Sequence, residues 1–136
     1  MRERKMEFME ETITYDAGEL HYEVTKMLNA LGFSPRYSGY NYTREAVKMA
    51  FASGTMMRTI SKTIYPAIAK ISGTSPYSVE HGIYKSIIQA WKMIDTGSKQ
   101  KYFGKQGLDE NWRPTNSELV YTLADKLRCD VLLEMM

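Results

Sequence analysis

The sequence predicts an all-α domain. Apolar residues recur at helical spacing along most of the chain, cap residues stand at the ends of those runs, and no stretch alternates apolar and polar residues as a half-buried strand would. At 136 residues the chain falls below the roughly 150 expected per domain, so one core is expected. Its 43% hydrophobic content is enough to build that core, and ten Met residues supply adaptable packing.

The first 16 residues read as a charged, mostly acidic leader, and residues 17–134 as the helical domain. Leu20, Val24, Met27, Leu28 and Leu31 share one face, and Gly32 stands where a left-handed cap would stop them, which gives a first helix over 17–31. A polar, aromatic connector, FSPRYSGYNY, follows. Thr43 is then the N-cap of a second helix that carries Ala46, Val47, Ala50 and Phe51 and ends at Ser53-Gly54. Met57, Ile60, Ile64, Ile68 and Ile71 keep the period with Pro66 inside it. Since proline lacks a backbone donor and clashes with the preceding turn, two helices are expected, over 55–63 and 65–71. After the turn Ser72-Gly73-Thr74, Ser75 is placed to cap and Pro76 to occupy the first helical position. Val79, Ile83, Ile87, Ala90, Trp91 and Ile94 make this a long amphipathic helix over 76–95. One helical turn is expected near Lys99 to Phe103. Thr115 and Glu118 then form a capping box that opens a last helix with Leu119, Val120, Leu123, Leu127 and Val131 inward.

Several functions are excluded by what is missing. No apolar run reaches the ~18 residues of a membrane span, and MRERKMEFMEE has no apolar core of a secretion signal, so a cytoplasmic location without membrane contact is expected. Cys129 has no cysteine to pair with, and His21 and His81 with one thiol make no zinc set; no metal and no cofactor are expected. Glu80 and His81 are adjacent and so do not face each other on a helix, and FGKQGL follows no strand and is no phosphate loop. With no nucleophile anchored to a base, the chain is not expected to be an enzyme.

Charge is uneven. Residues 36–105 hold eleven basic and three acidic side chains, whereas both ends are net acidic. A basic middle suits a polyanion, because phosphate neutralisation supplies most sequence-independent affinity for nucleic acid; it equally suits a solvated surface. Two helices joined by ISGT have the layout of a helix-turn-helix over 65–95, whose second helix enters the major groove amino end first, and also that of a plain helical hairpin. The pair lies in the basic region, with Arg58, Lys62 and Lys70 before the turn and Lys85 and Lys92 after it.

The runs GYNYTREAVKMAF, SKTIYPAIAKISGTS, SVEHGIYKSIIQAW and RPTNSELVYTLADKLR resemble the carboxy-terminal DNA-binding effector domain of the stage-zero sporulation master response regulator. The resemblance covers about residues 20–128. It implies a compact six-helix domain that reads a short box in double-stranded DNA, as a homodimer on tandem sites, and contacts the RNA polymerase sigma subunit. It also implies base contacts through an Arg-x-Glu-Arg pattern, here matched by Ser78, Glu80 and His81, with Tyr84 and Lys85 at later basic positions. Fewer than 20 residues precede the match, too few for a receiver domain, so a free-standing effector domain reading an altered site is expected.

Together these readings assign Tyr77, Ser78, Glu80, His81, Tyr84 and Lys85 to the bases, and Arg58, Lys62, Lys70 and Ser75 to the phosphates. The alternative is a protein-interaction module that pairs with a full-length regulator or RNA polymerase and binds little DNA itself.

Overall fold

Among the described residues six α-helices form one core, with the longest buried stripes on the second, fourth and sixth. The computed structural model describes residues 6–7, 12–13, 16–53 and 59–136. Within the expected leader, β1 (Met6–Glu7) and β2 (Thr12–Ile13) pair antiparallel over two residues each. The domain that follows is all-α, as the spacing predicts, and among the described residues no helix is long and apolar enough to cross a membrane.

Helix α1 (Ala17–Ala30) begins at Asp16, whose carboxylate accepts from the Glu19 N–H. It ends as the sequence predicts. Gly32 takes φ +88°, and the Phe33 N–H reaches back 3.0 Å to the Leu28 carbonyl, which satisfies an orphan acceptor and tucks Phe33 into the core.

Helix α2 (Ser38–Ser53) starts six residues earlier than the Thr43 cap predicts, well over one turn. Thr43 is a buried interior residue whose hydroxyl donates to the Gly39 carbonyl at 2.6 Å. Packing imposes the extra length on poor helix formers: Tyr40 is buried and its hydroxyl donates to Asn29 Oδ1, while Gly39 lies against α4. The other end of α2 is held by Arg128, 6% exposed, which donates to the Phe51 carbonyl at 2.9 Å.

The expected break at Tyr65-Pro66 also takes another form. Ile60–Ile64 is a single π-helical turn, closed by the Tyr65 N–H on the Ile60 carbonyl, and it runs into α3 (Tyr65–Ser72) with both junction residues right-handed helical. A widened turn accommodates Pro66, which cannot donate and whose ring would meet the Lys62 carbonyl in a regular helix. The earlier part of the expected 55–63 helix lies outside the described residues.

Gly73, at φ +70°, turns the chain into α4 (Pro76–Met93). The cap is the predicted one: Ser75 Oγ accepts from the Ser78 N–H at 3.1 Å, with Pro76 beginning the helix. Val79, Ile83, Ile87 and Ala90 are buried, and burying each of the three larger side chains contributes roughly 1.5–3 kcal/mol. The helix stops two residues short of 95 because Asp95 is the N-cap of the next one, accepting from the Ser98 N–H at 2.6 Å; that bond and one from the Ser98 hydroxyl hold its carboxyl below the usual range. Helix α5 (Thr96–Phe103) is therefore two turns rather than one, and a 3-10 turn (Gly104–Leu108) follows. Helix α6 (Asn116–Met135) opens on the predicted capping box, with Glu118 N–H to Thr115 Oγ1 at 3.0 Å and Thr115 N–H to Glu118 Oε1 at 2.8 Å.

Helix α2 packs on both α4 and α6. Its crossing with α4 is set by two glycines, since a Cβ on Gly39 would overlap the Gly82 carbonyl and Ser86 Oγ, and one on Gly82 would stand 2.9 Å from the Tyr42 ring. Gly39→Ala is expected to lower stability by about 3 kcal/mol, near the upper end for overpacking, whereas Gly73→Ala, strained only by its positive φ, should cost about 1 kcal/mol. Thermal denaturation of the two variants checks the order.

Candidate nucleic-acid interface

The first turns of α4 stand clear of the body. Pro76, Tyr77, Glu80 and His81 are all exposed, Tyr77 to 70%. Residues four or three apart on a helix are surface neighbours, and here they carry rings. Tyr77 and His81 stack at 5.7 Å between centroids with planes 7° apart, and His81 continues to Tyr84 at 6.3 Å and 26°. Beyond Tyr84 the row continues onto another element: the Arg113 guanidinium sits 5.8 Å from the Tyr84 centroid.

This row forms one wall of a groove of about 610 Å³ between α4 and the start of α6, with Ile60 and Tyr65 behind it. Asn116 bridges the walls. Its side-chain amide donates to Tyr65 Oη at 3.0 Å and to the Glu80 carbonyl at 2.9 Å, so the first turn of α6 is tied to the first turns of α4. Burial pushes the Tyr65 phenol above the ordinary value of 10.0, while the Asn116 bond pulls it the other way.

Of the residues assigned from sequence, Tyr77, Glu80, His81 and Tyr84 are gathered on this groove. Lys85 points around the helix, into a hollow of about 230 Å³ with Tyr37, Ser38 and Gln89 at the amino end of α2. Ser75 and Ser78 are engaged with each other, the Ser75 hydroxyl donating to Ser78 Oγ at 3.0 Å. Lys62 in the π turn and Lys70 in the last turn of α3 are exposed. Arg58 lies outside the described residues. Sequence reasoning missed Arg113 and Asn116. The capping box places them correctly at the start of α6, but nothing in the spacing says that this start lies against α4.

Chemically, the arrangement offers flat rings, a carboxylate at Glu80 able to accept, and the Arg113 guanidinium, with no hydrogen-bonded nucleophile and base among the described residues of the groove. That set suits the binding of a polar, charged surface. The family model described as Sporulation initiation factor Spo0A C terminal matches residues 24–127 of the chain, spanning α2 to α5 whole.

The Asn116 bridge is testable through Tyr65. A phenol whose folded pKa is raised contributes stability that is present below the unfolded value of about 10 and is lost as pH rises through the folded one. Asn116→Ala removes the bond that opposes the rise, so in an alkaline ultraviolet titration the late-ionising tyrosine should move to still higher pH, with stability at neutral pH about 1 kcal/mol lower.

Proposed function

Because the chain belongs to the Spo0A C-terminal family, and is on that ground a DNA-binding effector domain of a sporulation regulator, we propose that it reads DNA sequence with α4 laid in the major groove. The observation that carries this reading is the exposure of the first turns of α4 immediately after a tight, glycine-closed turn from α3. In it, Tyr77, Ser78, Glu80, His81, Tyr84 and Lys85 address the bases, with Glu80 accepting from a cytosine amine. Lys62, Lys70, Ser75 and Arg58 address the phosphates. Ser78 and His81 stand where the resembling pattern has arginines, so bidentate guanine contacts worth about 1–3 kcal/mol of discrimination each are absent from α4, and the preferred site differs from the one that pattern reads. Contact with an RNA polymerase sigma subunit and pairing of two copies on tandem sites belong to the same proposal.

The exposed Ile71, at 75%, and the uncharged rings of Tyr77 and Tyr84 favour a second reading, a protein-interaction module with little DNA affinity. Salt separates the two. With about six phosphate contacts, log K against log salt should fall with a slope near −5, whereas an interaction module shows no appreciable DNA affinity at about 0.1 M salt. Glu80→Ala should change which sequences are recovered from a random duplex pool, and an unchanged preference would remove Glu80 from base readout.

A further inference from the structure

The Arg113 guanidinium sits over the ring of Tyr84, and the residue comes from outside the helix-turn-helix. Its backbone is pinned on both sides. Trp112 packs edge-on against Trp91 at 6.1 Å and beside Phe103 at 5.4 Å, and Pro114 is buried. The Arg113 side chain is exposed, and among the described residues no carboxylate pairs with it. Its guanidinium meets the face of Tyr84. A guanidinium lying on an aromatic face keeps its five N–H donors around the edge, where a planar or tetrahedral oxyanion can be gripped by two of them. An exposed arginine otherwise samples many rotamers, and freezing them on binding costs entropy; the contact with Tyr84 removes part of that cost beforehand.

We propose that Arg113 is a DNA-backbone contact of this chain, held by Tyr84 to grip a phosphate on one wall of the groove that α4 occupies. The inference rests on the proposed reading of α4. A helix lying in the major groove is flanked by the two phosphate rows, and a residue from a neighbouring element that reaches the side of that helix meets phosphate before it meets base edges. Tyr84, one of the side chains assigned to the bases, takes a second part in this arrangement as a positioning residue: its ring presents the guanidinium. The site thus recovers, from the connector before α6, one of the guanidinium groups that α4 itself lacks.

The test uses the full chain and the duplex that the wild-type chain selects from a random pool. If wild type selects and binds no duplex, the reading of α4 fails and Arg113 with it. If wild type binds, Arg113→Ala should weaken binding about tenfold, reduce the steepness of the salt dependence by about one unit, and leave the selected sequence unchanged. Tyr84→Ala should weaken binding more in the wild-type background than in the Arg113→Ala background, the difference being the part Tyr84 plays through the guanidinium and the remainder its own contact with the bases; equal effects in the two backgrounds would overturn the positioning role. Tyr84→Phe, which keeps the ring, should restore most of the affinity, and Lys126→Ala, a lysine on α6 away from this groove, should bind as wild type. Wild-type affinity and slope in Arg113→Ala would overturn the proposal while leaving the reading of α4 intact. A changed sequence preference in that variant would also overturn it, by making Arg113 a base contact.

Discussion

The close crossing of α2 over α4 at Gly39 and Gly82 is the constraint on which the rest depends. Helices pack 8–10 Å apart depending on the side chains at the contact; at this crossing Gly39 and Gly82 leave no room for even a Cβ on Gly39. The approach fixes α4 by its backbone, so the side facing α2 carries small residues, Gly82 and Ser86, between the aliphatic Val79, Ile83 and Ile87. What remains for the opposite side of α4 is the exposed row of Tyr77, His81 and Tyr84. The ring row is exposed because the glycine side is not. The same crossing explains why the first turn of α2 is helical despite its composition: Gly39 has to be in register to reach Gly82, and the hydroxyls of Tyr40 and Thr43 then find their partners at Asn29 and at the Gly39 carbonyl.

Much of the fold is legible in the sequence because much of it is local. Ser75 with Pro76, Gly32, and Thr115 with Glu118 act over three or four residues, so a reader of the chain sees both partners of each cap at once. The features that escape are those whose second partner is far away. The start of α2 depends on α4. The π turn before Pro66 answers a conflict between an apolar stripe that wants to continue and a ring that forbids a regular turn, and spacing records the conflict without its resolution. Asp95 belongs by period to the end of α4 and by chemistry to the start of α5, and the charge-assisted bond to the Ser98 N–H decides it. The candidate site divides in the same way. Tyr77, Glu80, His81 and Tyr84 are visible as one helix face; Arg113 and Asn116 join them only through the packing of α6. Lys85, grouped with them by sequence proximity, is carried around the helix to the α2 side by the 100° step per residue.

The ring row sets the character of the surface. Tyrosine and histidine have two side-chain torsions each, and stacked neighbours restrict those further, so this face is stiffer than one built from lysine or free arginine. The permanent positive charge seated against the row is that of Arg113, while Lys62 and Lys70 are exposed on the π turn and on α3. Such a face discriminates by shape and by the directed acceptor of Glu80 more than by long-range attraction, in a region whose overall charge is nonetheless basic.

The Trp91, Phe103 and Trp112 cluster has an optical consequence. The chain's two tryptophans are in mutual contact, and they sit at the junction of α4, α5 and the connector that delivers Arg113. Tryptophan emission, excited where the ten tyrosines do not absorb, therefore originates from a single spot two turns below Tyr84 and reports how the far end of α4 is seated.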